Sequence, residues 1–123
     1  MSLKVEEWGT FEEVGRGYGF KHGGRFYAIL QTKVGAYRGD HTHPCDQYTV
    51  LLSGRAKYLK FDGGQHEVPL VKGEAVMIEA GVPHVLVVKE DALTFEWWNG
   101  DFEADGCRGI FEEITRNRVG PKA

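Results

Sequence analysis

The chain has 123 residues, of which 41% are hydrophobic and 12% aromatic, so it is long enough for one domain with a compact core. Its formal net charge of −3 excludes a general electrostatic attraction to nucleic acid or to anionic membranes. The sequence has no apolar run of the roughly 18 residues that a membrane span requires. Two cysteines, Cys45 and Cys107, do not make a disulfide framework and suit a reducing compartment. We therefore expect a cytoplasmic protein with one domain, 1–123, and no nucleic-acid or membrane partner.

Short β-rich segments separated by turn signals follow one another along most of the chain. Their β-branched and aromatic content is typical of strands, which we predict at 25–34, 47–53, 55–61, 66–71, 75–78, 84–89 and 93–98. Gly54, Asp62-Gly63-Gly64 and Glu90-Asp91 are predicted to end strands or to turn the chain between them. Seven or eight short strands at spacings of about ten residues indicate an antiparallel sandwich or barrel.

One short helix is predicted near the C-terminus. Ile110, Phe111 and Ile114 fall at helical spacing, and charged residues occupy the other side of that pattern. The predicted fold class is therefore all-β with one short C-terminal helix.

Two histidine-containing motifs carry the chemistry of the chain. Residues 35–54 read G-x5-H-x-H-x3-Q-x6-G, which includes His41, His43 and Gln47, and Gly73 begins G-x5-E-A-G-V-P-H, which ends on His84. His41 and His43 are expected to point to the same face of a strand, because side chains alternate with period two. A first-row divalent ion accepts three imidazoles and an oxygen donor, and it keeps positions open for water or substrate. The pattern therefore predicts a metal site in a pocket.

With these motifs the chain resembles the cupin superfamily, in particular the small single-domain type-2 or RmlC-like cupins. The family motifs read G-x5-H-x-H-x3,4-E-x6-G and G-x5-P-x-G-x2-H-x3-N, and residues 35–54 and 73–88 meet every spacing. The resemblance implies a double-stranded β-helix, or jelly-roll, barrel with a divalent transition metal (Fe, Mn, Ni, Zn or Cu) inside one end. It implies that His41, His43, Gln47 and His84 hold the metal, and it makes the three histidines the expected catalytic residues.

The chain departs from the family pattern at three positions. Gln47 stands where the family usually has Glu, and its neutral amide oxygen removes one negative charge from the site. We expect this change to weaken the binding of hard cations and to raise the Lewis acidity of the metal. Gln47 is equally open to a second interpretation, as a polar residue that lines the barrel and hydrogen-bonds without ligating. Glu79 replaces a family Pro and Val88 a family Asn, but neither position is a ligand.

Three functions follow from this interpretation, because a fold hosts many activities. The first is a metal-dependent oxygenase, lyase or isomerase that acts on a small organic molecule. The second is a metal-independent sugar or sugar-nucleotide isomerase or epimerase, in which His41 and His43 act as acid and base. The third is a non-catalytic module that binds or senses a small ligand.

Further expectations concern the oligomeric state and three residues that are not motif positions. A homodimer is predicted, with Trp8 and the N-terminal strand as candidates for the interface. Cys45 is expected to be a small buried hydrophobe rather than a ligand. Arg38 and Lys57 are expected to be solvated charges.

Overall fold

The computed structural model describes residues 3–7, 13–107 and 109–121. The described part of the chain contains nine strands and one short helix. In chain order they are β1 (Glu6–Glu7), β2 (Gly17–His22), β3 (Arg25–Thr32), β4 (Tyr37–Thr42), β5 (Gln47–Phe61), β6 (Gln65–Pro69), β7 (Ala75–Ile78), β8 (His84–Trp98), β9 (Asp105–Gly106) and α1 (Glu112–Thr115). The predicted all-β class is confirmed.

Two long antiparallel strands, β5 and β8, organise the barrel. Their ladder runs from the pair Gln47↔Trp98 at one end to the pair Lys60↔His84 at the other. On its other edge β8 pairs with β3 along its second half and with β4 along its first half. β6 and β7 pair with β5. The sheet curls on itself into a jelly-roll barrel, as the sequence predicted.

The sequence predicted two breaks in these strands, at Gly54 and at Glu90-Asp91, and both are wrong. β5 and β8 continue through these positions, and their register shifts between Leu51 and Ala56. Gly54 has a φ of 86°, and a Cβ built on it would overlap the carbonyl oxygen of Asp91. Bulges of this kind bend a strand without ending it. Gly54, which the sequence predicted as the end of a strand, is therefore the corner of a continuous strand.

The predicted C-terminal helix is present but short, with only Glu112–Thr115 in α-helical conformation. Phe111, which precedes it, is 1% exposed and packs in a cluster with Leu59 and Val85. Ile110 was expected on the apolar side, but it is 38% exposed. The segment is therefore held to the barrel through Phe111 rather than along a full apolar helix face.

Strand alternation separates the inside of the barrel from its outside. Along the second half of β8 the buried side chains are Ala92, Thr94, Glu96 and Trp98, whereas the residues between them are only partly buried. The largest apolar cluster of the interior is Leu51, Tyr58, Leu70, Ile78, Leu86, Val88 and Ala92. The inward side of β8 therefore carries two buried polar residues, Thr94 and Glu96, between Ala92 and Trp98.

Among the described residues, no helix has the length and apolar character that a membrane crossing would need.

Candidate metal centre

The four predicted site residues lie at the ends of strands. His41 is in β4 and pairs in register with His84, the first residue of β8. His43 follows the end of β4, and Gln47 is the first residue of β5. The register of β4 shifts between Gly39 and His41, where Asp40 has a φ of 65°. This irregularity and the strand end at Thr42 set the positions of the two histidines, which the sequence placed on one regular strand face.

The three histidines converge. The ring centroids lie 4.3 Å apart for His41 and His43, 4.9 Å for His41 and His84, and 5.0 Å for His43 and His84. One candidate ligand atom from each ring lies within 4.8 Å of the other two. His43 is 3% exposed and His84 1%. Three imidazoles thus face one small buried volume.

Backbone carbonyl groups fix the orientation of two of these rings. His43 donates through Nδ1 to the carbonyl oxygen of Glu103 at 2.7 Å, and His84 donates through Nδ1 to that of Val82 at 3.0 Å. A carbonyl group only accepts hydrogen bonds, so the neutral ring carries its proton on Nδ1 and its lone pair on Nε2. Both Nε2 atoms are buried and have no hydrogen-bond partner among the described residues. Two unsatisfied buried lone pairs beside a third imidazole are the donor set that a divalent transition metal requires.

Burial keeps the rings neutral. It lowers the pKa of His41 to about 2, with a further lowering by His43 and His84. It also lowers the pKa of His84 to about 4, although the carbonyl of Val82 acts in the opposite direction. For His43 burial again lowers the pKa, and the carbonyl oxygen of Glu103 and the nearby amide group of Gln47 oppose this shift. Neutral imidazole is the form that ligates metal ions.

The Gln47 side chain is 2% exposed, and a polar cluster holds its amide group. Its Nε2 lies 2.8 Å from the hydroxyl oxygen of Tyr58, 3.0 Å from Oγ1 of Thr49 and 3.1 Å from Oε1 of Glu96. The amide oxygen, Oε1, is buried, and the part of the chain that the structure describes offers it no hydrogen-bond partner. Gln47 therefore presents an unsatisfied amide oxygen at the cavity that His41 and His84 also line. The polar cluster accounts for the amide nitrogen, and ligation of a metal by the oxygen stays a prediction.

Glu96 is a site residue that the sequence interpretation missed. It is 4% exposed, and its Oε2 accepts a hydrogen bond from Oγ1 of Thr94 at 2.8 Å. Burial raises the pKa of Glu96 to about 7, whereas Thr94 and the positive charge of Arg38 lower it. The pattern 93–98 alternates, so it placed Glu96 and Thr94 on one face with Trp98. A charged residue on the inward face of a strand is unusual, and this is the sequence signal by which Glu96 could have been recognised as a site residue.

Arg38 is also buried, which contradicts the expectation of a solvated charge. It is 7% exposed, and its guanidinium donates to Oγ1 of Thr32 at 3.0 Å and to the carbonyl oxygens of Gln31 and Gly15 at 2.7 and 3.1 Å. These bonds compensate the cost of burying the charge. Lys57 is only partly exposed and makes an ion pair of 2.7 Å with Glu67 on the neighbouring strand.

A cavity of about 550 Å³ opens onto these residues. It is within the range of 300–1,000 Å³ that small-molecule sites occupy. Apolar side chains form much of its wall, among them Leu30, Leu86, Trp98 and Phe102. The polar residues that line it include His41, His84, Gln47, Glu96, Arg38 and Asp40. Cys45 is partly buried rather than buried; it packs against the apolar cluster of Ala28, Leu30 and Trp98 and does not line the cavity. The site thus combines a metal-binding donor set with room for an organic ligand.

A jelly-roll barrel with a histidine cluster at strand ends is the architecture of cupins, and comparison with known proteins agrees. The family model described as "Cupin domain" matches residues 28–98, which is more than half of the chain. The chain therefore belongs to the cupin domain family. No curated protein matches it.

Solved structures share the fold at low sequence identity. Oxalate decarboxylase from Bacillus subtilis is 20% identical with a TM-score of 0.71, over 85% of this chain and 30% of that one. The capsular polysaccharide assembling protein CapF from Staphylococcus aureus is 20% identical with a TM-score of 0.67, over 84% and 30%. The SPY1581 protein from Streptococcus pyogenes is 18% identical with a TM-score of 0.64, over 76% and 80%. The chain thus spans about a third of the length of the first two.

Proposed function

We propose that this cupin is a metal-dependent enzyme that acts on a small organic molecule in the cavity, as an oxygenase, lyase or isomerase. One observation carries the proposal. The Nε2 atoms of His43 and His84 are buried without partners while their Nδ1 atoms are bonded to carbonyl groups. Burying an unpaired polar atom costs on the order of 1–3 kcal/mol, and a metal ion removes that cost at both atoms.

The residues of the site have separate roles in this proposal. His41, His43, His84 and the amide oxygen of Gln47 would hold a divalent transition metal (Fe, Mn, Ni, Zn or Cu), and when bound it polarises a substrate oxygen. Trp98, Phe102 and the other apolar side chains of the cavity exclude water from the substrate. Glu96 places a carboxyl group at the same cavity. The solved oxalate decarboxylase is described as having Mn(II) centres. That metal belongs to the other protein, and the shared fold supports the proposal of a transition metal in this one.

Metal analysis of the purified protein tests the proposal. We expect near-stoichiometric transition metal in untagged protein, and we expect the variant His84→Ala to lose it. His66→Ala is the matched control, because His66 lies in β6 and its ring bonds to the carbonyl oxygen of Asp62, away from the site. A metal-free protein that also fails to bind added Mn²⁺, Fe²⁺, Ni²⁺ or Zn²⁺ would overturn the metal site.

A metal-independent sugar or sugar-nucleotide isomerase is the second candidate. The carboxyl group of Glu96 supports it, since a buried acid and neutral imidazoles share the cavity and such groups move protons between carbons. The strongly lowered pKa values of His41 and His84 weaken it, because these rings are poor proton donors near neutral pH. A sugar nucleotide retained on purification, in protein without metal, would favour this candidate.

The third candidate is a non-catalytic cupin that binds or senses a small ligand. The volume of the cavity supports it as well as it supports an enzyme. Turnover distinguishes the two, because a binding module would retain the ligand that it captures unchanged. Mass spectrometry of a ligand incubated with the metal-loaded protein provides that measurement.

We also propose that the protein is a homodimer. Trp8, an interface candidate from the sequence, lies outside the described residues, and β1 pairs with β2 at the edge of the sheet. The support comes instead from an outward apolar surface, here called the aromatic face, that runs across five strands. Its register partners are Phe20, Tyr27, Trp97, Tyr48 and Met77 in one row, and Tyr18, Ile29 and Phe95 in the next.

The aromatic face fits a second copy of itself. Tyr48 and Trp97 stack at 5.2 Å between centroids, while Tyr18, Ile29 and Met77 are 39, 43 and 42% exposed. A whole aromatic side chain has an area of about 150–250 Å², so the face exposes several hundred Å², approaching the roughly 800 Å² that each partner of a standard interface buries. A sheet face without charges is also suited to an isologous contact.

Sedimentation velocity tests the dimer. We expect a dimer for the unaltered protein and for Val71→Lys, since Val71 is 56% exposed and lies outside the aromatic face. Trp97→Lys should be monomeric. A monomer at about 100 μM before any substitution, a concentration above most specific dissociation constants, would overturn the proposal.

The cytoplasm is the proposed location. Cys45 and Cys107 are free thiols, and free cysteines are typical of a reducing compartment. Fractionation of the source cells, with detection of the untagged chain, tests this.

A further inference from the structure

The site lacks the acidic ligand of its family at position 47, yet a carboxyl group lies one hydrogen bond away. We infer that Glu96 is a positioning residue, which turns the amide oxygen of Gln47 towards the histidines and supplies the negative charge that the ligand set lacks. This inference rests on the proposed metal site and identifies how the chain operates with Gln in the place of the acid.

The orientation of the Gln47 amide follows from its neighbours. A side-chain amide rotated by 180° exchanges a donor for an acceptor, so its orientation must be deduced from the bonds around it. Thr49 and Tyr58 carry hydroxyl groups, which either donate or accept. Glu96 in its charged form, which Arg38 and a nearby divalent ion favour, only accepts. Its Oε1 lies 3.1 Å from the Gln47 amide, so the group that faces Glu96 is Nε2, and Oε1 of Gln47 is directed away from it.

Both oxygens of Glu96 already have partners. Oε1 accepts from Gln47 and Oε2 accepts from Thr94. Glu96 is therefore placed to act through Gln47 rather than as a ligand itself. Outer hydrogen-bond partners of this kind orient metal ligands, and their removal commonly costs about 10- to 100-fold in metal affinity.

The charge of Glu96 has a second effect. Three imidazoles and one amide are all neutral, so a divalent ion held by them keeps its full charge in a buried site. The carboxylate of Glu96 compensates part of that charge at short range. Arg38 acts on Glu96 electrostatically and favours the charged form, while its guanidinium is bonded to Thr32, Gln31 and Gly15. In this chain the carboxyl group is thus on β8, at Glu96, whereas the family motif places it on β5, at position 47.

Titration of the metal-free full-length protein with Mn²⁺ and with Co²⁺ tests the inference, by calorimetry and by the Co²⁺ absorption spectrum. We expect Glu96→Gln to weaken binding of both ions about 10- to 100-fold and to change the Co²⁺ spectrum, because the amide of Gln47 is then free to turn over. Glu79→Gln is the matched control. It removes one carboxylate that pairs with Lys60 at 3.3 Å and should leave both the affinity and the spectrum unchanged.

A double variant keeps the test independent of misfolding. Gln47→Glu combined with Glu96→Gln exchanges the acid and the amide, so the pair retains one charge and one hydrogen bond. We expect it to bind metal at least as tightly as the unaltered protein. Unchanged affinity and spectrum in Glu96→Gln would overturn the role of Glu96 alone. Failure of the unaltered protein to bind any metal would overturn the metal site, and this inference with it.

Discussion

His41 and His84 are register partners across β4 and β8, and their ring centroids lie 4.9 Å apart. One ring comes from each histidine motif, so the pairing of two strands brings the two motifs together. His43 completes the cluster at 4.3 Å from His41. The histidine cluster is therefore a product of strand pairing, and it is assembled only when the barrel closes.

Metal removal should lower the stability of the protein. A ligand at 100 times its dissociation constant stabilises the folded state by about 2.7 kcal/mol, so adding a chelator should lower the melting temperature by several degrees. His41→Ala should be insensitive to the chelator, because it lacks one of the three imidazoles. His22→Ala, at the exposed end of β2, should respond as the unaltered protein does. Differential scanning calorimetry provides the measurement, and equal chelator shifts in both variants would contradict the prediction.

Gln47→Glu should preserve or strengthen metal binding while it destabilises the metal-free protein. The new carboxylate is a charged oxygen ligand, which divalent ions prefer over an amide. It also stands about 3 Å from Glu96, and two carboxylates at this distance in a buried site repel each other. Urea unfolding with and without metal should therefore give a larger metal-dependent difference than in the unaltered protein. A smaller difference would argue against Gln47 as a ligand.

The metal-free protein should lose stability as the pH falls from about 6.5 towards 4.5. His41 and His84 have pKa values of about 2 and about 4 when folded and near 6.5 when unfolded, so the unfolded state binds about two more protons. Glu96 acts in the opposite direction, because its pKa is raised to about 7 in the folded state. The lowered pKa of His43 adds to the effect of His41 and His84, so the histidines outweigh Glu96 and the net effect is a loss of stability as the pH falls.

Glu96→Gln removes the opposing group and should make the dependence of the unfolding free energy on pH steeper. Urea midpoints between pH 4.5 and 6.5, in the presence of a chelator, give both slopes. His66→Ala serves as the control, since His66 is exposed. A slope that Glu96→Gln leaves unchanged, or makes shallower, is incompatible with a buried carboxyl group of raised pKa.

Gly54→Ala should destabilise the protein by about 2–4 kcal/mol, the sum of left-handed strain and a steric clash. The φ of Gly54 is 86°, and an added Cβ meets the backbone of Asp91 and Ala92. Gly63→Ala is a matched control, because Gly63 has a φ of 67° with open space around it. It should cost only about 1 kcal/mol. Chemical denaturation of both variants measures the difference in unfolding free energy. Equal losses of stability would contradict the role of Gly54 as the corner of a continuous strand.

Phe111→Ala should cost about 3–5 kcal/mol, as expected for the loss of a buried aromatic side chain. Phe111 is 1% exposed against Leu59 and Val85, whereas its neighbour Ile110 is 38% exposed. Ile110→Ala should therefore be close to neutral. Thermal unfolding of the two variants tests which of them attaches the C-terminal segment to the barrel.

The sequence predicted the parts of the site that depend on spacing. His41, His43 and His84 converge as their motif positions implied, and the all-β fold is the one that the short β-rich segments indicated. Glu96 was missed because its importance depends on which face of β8 is inward, and a single alternating strand does not show which face that is. The sequence does not distinguish a strand end from a corner at Gly54, because both a turn and a corner require a residue with positive φ.

Gln47 and His84 stand at opposite ends of one two-stranded ladder. Gln47 pairs with the last residue of β8, and His84 pairs with Lys60, near the end of β5. Curling of the ladder is what brings these ends to a common cavity. An ion bound by both residues would link the two ends of the ladder. The affinity of the protein for the ion would therefore depend on the curvature of the whole barrel. Substitutions at the distant corner of Gly54 should then weaken metal binding without touching any ligand.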